Sequence, residues 1–191
     1  MTTPRDVLDY WFGVPGTPEH GKERELWFRK SEATDAEIRA RFGADVEAAV
    51  RGGHDDWRTH GPRESLALLL LLDQFTRNIY RDTAGAFAGD AKALALARTL
   101  VERGEDRSLA PFERWFVYLP FEHSESLAAQ KESLRLFGQL AAEGQAGVLQ
   151  WAEKHHDVIA RFGRFPHRNE ILGRPSTPEE IAFLGQPGSR F

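Results

Sequence analysis

Residues 66–81 read LALLLLLDQFTRNIYR. No other stretch of the chain has apolar residues that leave no polar face, and a helix built that way is buried on nearly every side with other helices laid around it. Its second half changes character, because Asp73, Gln74, Arg77 and Asn78 follow directly on the leucines. Buried charge costs roughly several kcal/mol unless it is paired, so these side chains need partners. Gly61-Pro62 opens the segment with proline at the first helical position, which sets a central helix over about 62–80.

Working outward, Thr3-Pro4 reads as a cap and first turn for a short helix through Val7, Leu8, Tyr10, Trp11 and Phe12, ending at Gly13. A second short helix is expected through Glu23 to Phe28. Thr34-Asp35-Ala36-Glu37 has the form of a capping box, with Thr34 as cap, for a helix showing Ile38, Phe42, Val46 and Ala49 at helical spacing up to Gly52-Gly53. Beyond the central helix, Ala84 to Arg103 is rich in alanine and leucine and predicts another helix. Phe112, Trp115, Phe116 and Leu119 repeat at helical spacing before Pro120, which should end or kink their helix.

Ser124 or Ser126 is placed to cap a helix from Leu127 to Ala142 with Leu127, Leu134, Phe137 and Leu140 inward. Val148 to Phe162 predicts a further helix with Leu149, Ala152, Val158 and Ile159 inward. A loop-like stretch follows, and a second capping box, Thr177-Pro178-Glu179-Glu180, precedes Ile181. No period-two strand is visible. The class is therefore all-α: about eight helices in antiparallel pairs around the central one, in a single domain over residues 1–191.

A net charge of −4 argues against a general nucleic-acid binder, which carries a basic stripe. The chain has no cysteine, which excludes disulfides and thiolate metal sites and fits a reducing, cytoplasmic setting. The longest apolar run, Leu66 to Leu72, falls far short of the about 20 residues a bilayer span needs, so no membrane association is expected. Gly-rich phosphate loops and nucleophile-elbow motifs are absent. Glu153 and His156 form half of a di-iron helix motif without a second half, so no metal and no cofactor is expected.

Three polar blocks remain. Asp73 and Arg77 lie four apart on one helix face, acid first, and their simplest reading is an intrahelical ion pair. Glu122-His123 follows Pro120 near a helix junction, where the two residues give an acid and an imidazole on one rim. Residues 161–169, RFGRFPHRN, alternate arginines, a histidine and an asparagine with two phenylalanines around Gly163 and Pro166. A stiff, donor-rich loop of this kind suits a carboxylate or phosphate, for which arginine offers a forked pair of donors. Phe162 and Phe165 could equally anchor the loop in a core while Asn169 caps a turn.

At these residues the chain resembles a family of bacterial proteins, the domain of unknown function DUF924. The similar blocks are VLDYWFG at Val7 to Gly13, LLLLDQFTRNIYRDT at Leu69 to Thr83, LPFEHSES at Leu119 to Ser126, and FGRFPHRNEILGRPSTPEEIAFL at Phe162 to Leu184. The resemblance implies an all-α fold of the tetratricopeptide-like superfamily, and it brings no reaction and no catalytic residue with it. His155 matches the histidine it leads one to expect, whereas His156 stands in place of an arginine.

Two functions follow as expectations. The first is a site for a small anionic molecule, binding or enzymatic, with Glu122, His123 and His167 as acid/base groups and Asp73, Arg77, Asn78, Arg164, Arg168 and Asn169 as ligand-binding groups. Arg77, Arg164 and Arg168 against Asp73 and Glu122 would leave positive charge for one anion, and protonation of His123 or His167 would add to it. The second is a protein-protein interaction module without catalytic activity, in which helix pairs offer a groove to a peptide.

Overall fold

The computed structural model of the chain describes residues 2–190. Among them no strand occurs; the helices are α1 (Pro4–Phe12), α2 (Glu32–Arg51), α3 (Pro62–Leu69), α4 (Thr76–Ile79), α5 (Asp90–Glu102), α6 (Pro111–Glu122), α7 (Leu127–Ala142), α8 (Val148–Phe162) and α9 (Pro178–Leu184), with short 3-10 turns in several of the connections. Helices α3 and α4 are halves of the one central helix, so the described residues carry eight helices, in line with the about eight expected. None is long and apolar enough to cross a membrane. The backbone divides into two compact units, the first comprising Met1–Arg81 and Gly85–Pro120, the second Asp82–Ala84 and Phe121–Phe191.

The first unit is built on the central helix. Leu66 to Leu72 and Phe75 are all buried, and the helix packs against α1, α2 and α5. Phe75 is ringed by Tyr10, Trp11 and Phe42 at 6.1, 5.3 and 5.1 Å between ring centroids, an aromatic lattice worth about 0.5–1.5 kcal/mol per pair beyond area burial. The join between α3 and α4 is a π-helical turn, Leu70–Phe75. Such a turn admits an extra residue and shifts the phase of all that follow. The hydroxyl of Thr76 donates to the carbonyls of Leu72 (2.9 Å) and Asp73 (3.2 Å), within the part of the ladder that the π turn perturbs.

Four local expectations are corrected. Helix α2 starts a turn earlier than the Thr34 box implies: Ser31 is the cap, its hydroxyl accepting from the Thr34 amide at 3.3 Å, and Glu37 pairs with Arg41 instead. The expected helix at Glu23 to Phe28 is a single 3-10 turn, Glu25–Trp27. Helix α5 begins at Asp90, with only a 3-10 turn at Ala84–Phe87 before it, and its cap, Gly89, lies against the Leu72 backbone of the central helix. Helix α6 runs through Pro120 to Glu122. A proline this close to a helix end forfeits one backbone bond without ending the last turn.

The second unit is a hairpin of α7 and α8 with the C-terminal segment folded on its own small core of Val158, Ile159, Phe165, Phe162 and Phe183. The buried face of α7 is Ala129, Gln130, Ser133, Leu136, Phe137 and Leu140, rotated from the expected one: Leu127 is exposed and Leu134 half-buried. On α8 the inward stripe is Val148, Ala152, His155, Val158 and Ile159, with Leu149 half-buried. Gly163, at a φ of 69°, turns the chain out of α8 in the left-handed conformation that glycine adopts without strain. The predicted Thr177–Glu180 capping box opens α9.

Candidate functional site

In the first unit, Asp73 is buried at the π turn. It accepts from the Gln74 amide at 2.6 Å, and its carboxylate lies 3.1 Å from the Arg77 guanidinium. Arg77 forks onto Asp90 at the start of α5 (2.9 and 3.1 Å) and also reaches the Asp73 carbonyl at 2.7 Å. Burial works against the charge of Arg77, but Asp73 and Asp90 outweigh it and raise its pKa. Asn78 donates to Asp35 of α2 at 2.8 Å, and Arg81 grips the same carboxylate at 2.6 and 2.7 Å. Burial alone would raise the Asp35 pKa; the bonds from Arg81 and Asn78 lower it. Thus Asp73, Arg77 and Asn78 each have a bonding partner within this unit, and the carboxylates of Asp90 and Asp35 join them.

In the second unit, the loop after α8 is laced by three arginine–glutamate pairs. Arg164 forks onto Glu180 at 2.7 and 2.8 Å and Arg174 onto Glu125 at 2.7 and 2.9 Å, while Arg161 meets Glu179 at 2.9 Å on the surface. Asn169, fully buried, donates to Ser176 (3.0 Å) and Glu180 (3.2 Å) and accepts from Arg174 (3.0 Å). The Phe165 amide donates to Glu125 at 2.8 Å. Glu180 is held down to about 2, first by Arg164 and then by the Thr177 amide; the Glu125 carboxyl is lowered too, the bonds from Arg174 and the Phe165 amide prevailing over burial. The expected surplus of positive charge therefore shrinks: Asp90 accompanies Arg77, and Glu180 accompanies Arg164.

Arg168 also packs on an aromatic ring. Its guanidinium lies over the face of the buried Phe165 ring, 4.4 Å from the centroid. The same ring meets the imidazoles of His155 (5.5 Å) and His167 (5.6 Å), and His155 lies 6.4 Å from His123. Glu122, His155 and Arg168 are buried, whereas His123 and His167 are half-exposed. Nδ1 of His155 is 2.8 Å from the Trp151 carbonyl, an acceptor only, so Nδ1 carries the proton and Nε2 the lone pair. Burial pushes His155 down to about 3. Burial, then the charge of Arg168, pushes His167 down to about 4. Both are neutral near neutral pH, so His167 does not add the positive charge expected there, and the 3.3 Å approach of His155 Nδ1 to Glu122 Oε1 is not an ion pair.

A family model described as "Bacterial protein of unknown function (DUF924)" matches residues 7–188. The chain belongs to the DUF924 family. A solved structure titled as a protein of unknown function from Agrobacterium tumefaciens is similar over 95% of this chain and 96% of its own, with 40% sequence identity and a TM-score of 0.84. No functionally curated protein matches the chain.

In this DUF924 chain His155 and Phe165, neither of them among the expected site residues, link the imidazoles to Arg168. The signal was present: His155 stands on the α8 stripe of Val148, Ala152 and Ile159 at helical spacing. Nor were Glu125 and Arg174 expected as partners across the C-terminal segment, where no local spacing marks them.

Proposed function

We propose that the second unit binds a small anionic molecule at the Phe165 cluster, with Arg168 as the fixed positive anchor. The observation that supports this reading is the gathering of one guanidinium and two imidazoles around a single buried phenyl ring, with a third imidazole beside His155. Cation and ring together give a flat, apolar-backed seat for a carboxylate or phosphate. His123 and His167, half-exposed, supply the rim, where a neutral imidazole donates to an anion through one nitrogen and accepts a proton through the other. Acid/base work on the bound molecule falls to the same groups, with Glu122 behind them.

The test is thermal denaturation in a panel of small phosphates and carboxylates at fixed ionic strength, since salt alone screens charge. An anion at a hundred times its Kd stabilises the wild type by about 2.7 kcal/mol. Arg168→Ala abolishes this response, while Arg164→Ala, which breaks the pair with Glu180, lowers the melting temperature and keeps it. If no anion shifts the wild type, or if Arg168→Ala responds like the wild type, Arg168 is structural and the interaction-module reading takes its place.

A further inference from the structure

The corner that carries Glu122 and His123 joins α6 to α7, and a short polar junction of this kind has no regular backbone ladder to hold it. The Ser124 amide reaches back to the Phe121 carbonyl at 3.3 Å, and one buried side chain of α7 binds the corner from below. Gln130, fully buried on α7, donates through its amide nitrogen to the carbonyl of Glu122 at 2.6 Å and to that of Ser124 at 2.7 Å, with the Phe121 carbonyl at the limit of bonding, 3.5 Å. The first two carbonyls belong to the residues on either side of His123. Both amide protons of Gln130 are thereby spent on the backbone of this corner. The amide cannot be turned over, because its oxygen would then face carbonyl oxygens. Its Oε1, buried, has no hydrogen-bond partner among the described residues. A buried amide oxygen left without a bond is costly to keep, so the two bonds from the amide nitrogen to the corner must outweigh that cost.

We infer that Gln130 is a positioning residue for His123: by pinning the carbonyls of the residues before and after it, Gln130 sets where the imidazole stands against His155 and the Phe165 cluster. The inference rests on the anion-binding reading only for its consequence, that affinity at the cluster depends on a side chain that does not touch the ligand. A methionine at position 130 keeps the length and apolar volume and removes both donors. Ser133, one turn along the same face, is the control: it is fully buried and its hydroxyl has no hydrogen-bond partner among the described residues, so Ser133→Ala disturbs the same core without touching the corner.

The experiment is two-dimensional NMR of the histidine rings in wild type, Gln130→Met and Ser133→Ala, with the binding of inorganic phosphate measured in parallel. In Gln130→Met the ring signals and the titration of His123 move, those of His20, His54 and His60 stay, and Ser133→Ala leaves His123 in place. Where phosphate binds the wild type, Gln130→Met weakens it by tenfold or more. Unmoved His123 signals in folded Gln130→Met overturn the inference, as does an equal displacement in Ser133→Ala. Should Gln130→Met not fold, the wild type decides: the Gln130 side-chain amide protons must exchange slowly and couple across hydrogen bonds to the Glu122 and Ser124 carbonyl carbons, and fast exchange rejects the positioning role. Failure of phosphate to bind the wild type rejects the anion reading and leaves the ring-signal result to stand or fall alone.

Discussion

Gly89 lies so close to the central helix that a methyl group built on its Cα would stand 2.1 Å from the carbonyl oxygen of Leu72. The contact is with backbone at a buried π turn, so neither side can swing away, as a flexible side chain would. The φ of Gly89 is −92°, which any residue adopts; space alone demands glycine here.

Gly89→Ala is therefore expected to destabilise the protein by about 3 kcal/mol, the upper end of the usual overpacking range. Denaturant unfolding checks it. A loss below about 0.5 kcal/mol would mean that α5 can retreat from the central helix at little cost.

Truncation within the central helix probes its burial from the other direction. Leu69 and Leu70 are each 1% exposed, and Leu71 and Leu72 are buried as well. Leu69→Ala and Leu70→Ala should each cost about 2–5 kcal/mol through lost transfer energy and the cavity left behind. Successive residues of an amphipathic helix would instead give alternately large and small losses. Equal losses along 69–72 are the signature of a helix covered all round.

The all-apolar run made this helix legible in the sequence, and the Thr3 and Thr177 caps were legible because a cap is a local bond within one turn, whereas Ser126 was one of two candidates for its helix. The π turn was not, since LLLDQF fits an α-helix equally well and only the packing of Asp73 and Gly89 around it separates the two. The partners of the arginines were also hidden. Asp90 lies 13 residues from Arg77, Asp35 lies 46 from Arg81, and Glu125 lies 49 from Arg174. Periodicity reports on neighbours within one element and says nothing of pairs at such separations. The spacing of α8 places His155 inward, but no spacing shows the Phe165 ring it meets.

The histidines make acid stability a direct test of the Phe165 cluster. His155 and His167 are lowered in the fold to about 3 and about 4 from an ordinary 6.5, so between these limits the unfolded chain binds protons that the native chain does not. Stability is then full above pH 6.5 and falls as the pH drops, each histidine removing about 1.4 kcal/mol per pH unit until its folded pKa is reached. The lowered Glu125 and Glu180 act in the same direction but later, from their ordinary 4.5 downward. Unfolding free energy measured from about pH 7 to about pH 5 should show the histidine slope before any carboxylate titrates, and His155→Gln should remove one proton from it. A flat profile over that range would mean that the imidazoles are not held neutral.

Arg77 stands between two carboxylates, Asp73 at 3.1 Å and Asp90 at 2.9 Å. The Asp73 side chain is only 2% exposed, so its charge depends on that guanidinium far more than the 24% exposed Asp90 does. Arg77→Met removes a cation that lies 3.1 Å from the buried Asp73 carboxylate, for which a loss of about 3–5 kcal/mol is expected. Asp73→Asn on its own costs less, because Arg77 keeps its fork on Asp90. In the double variant the neutral amide that replaces the Asp73 carboxylate needs no cation, so most of the Arg77→Met loss should vanish and the two changes should be far from additive. Additive losses would show that Arg77 stabilises the helix by packing along Phe87, whose ring its guanidinium overlies at 5.7 Å, and not by neutralising Asp73.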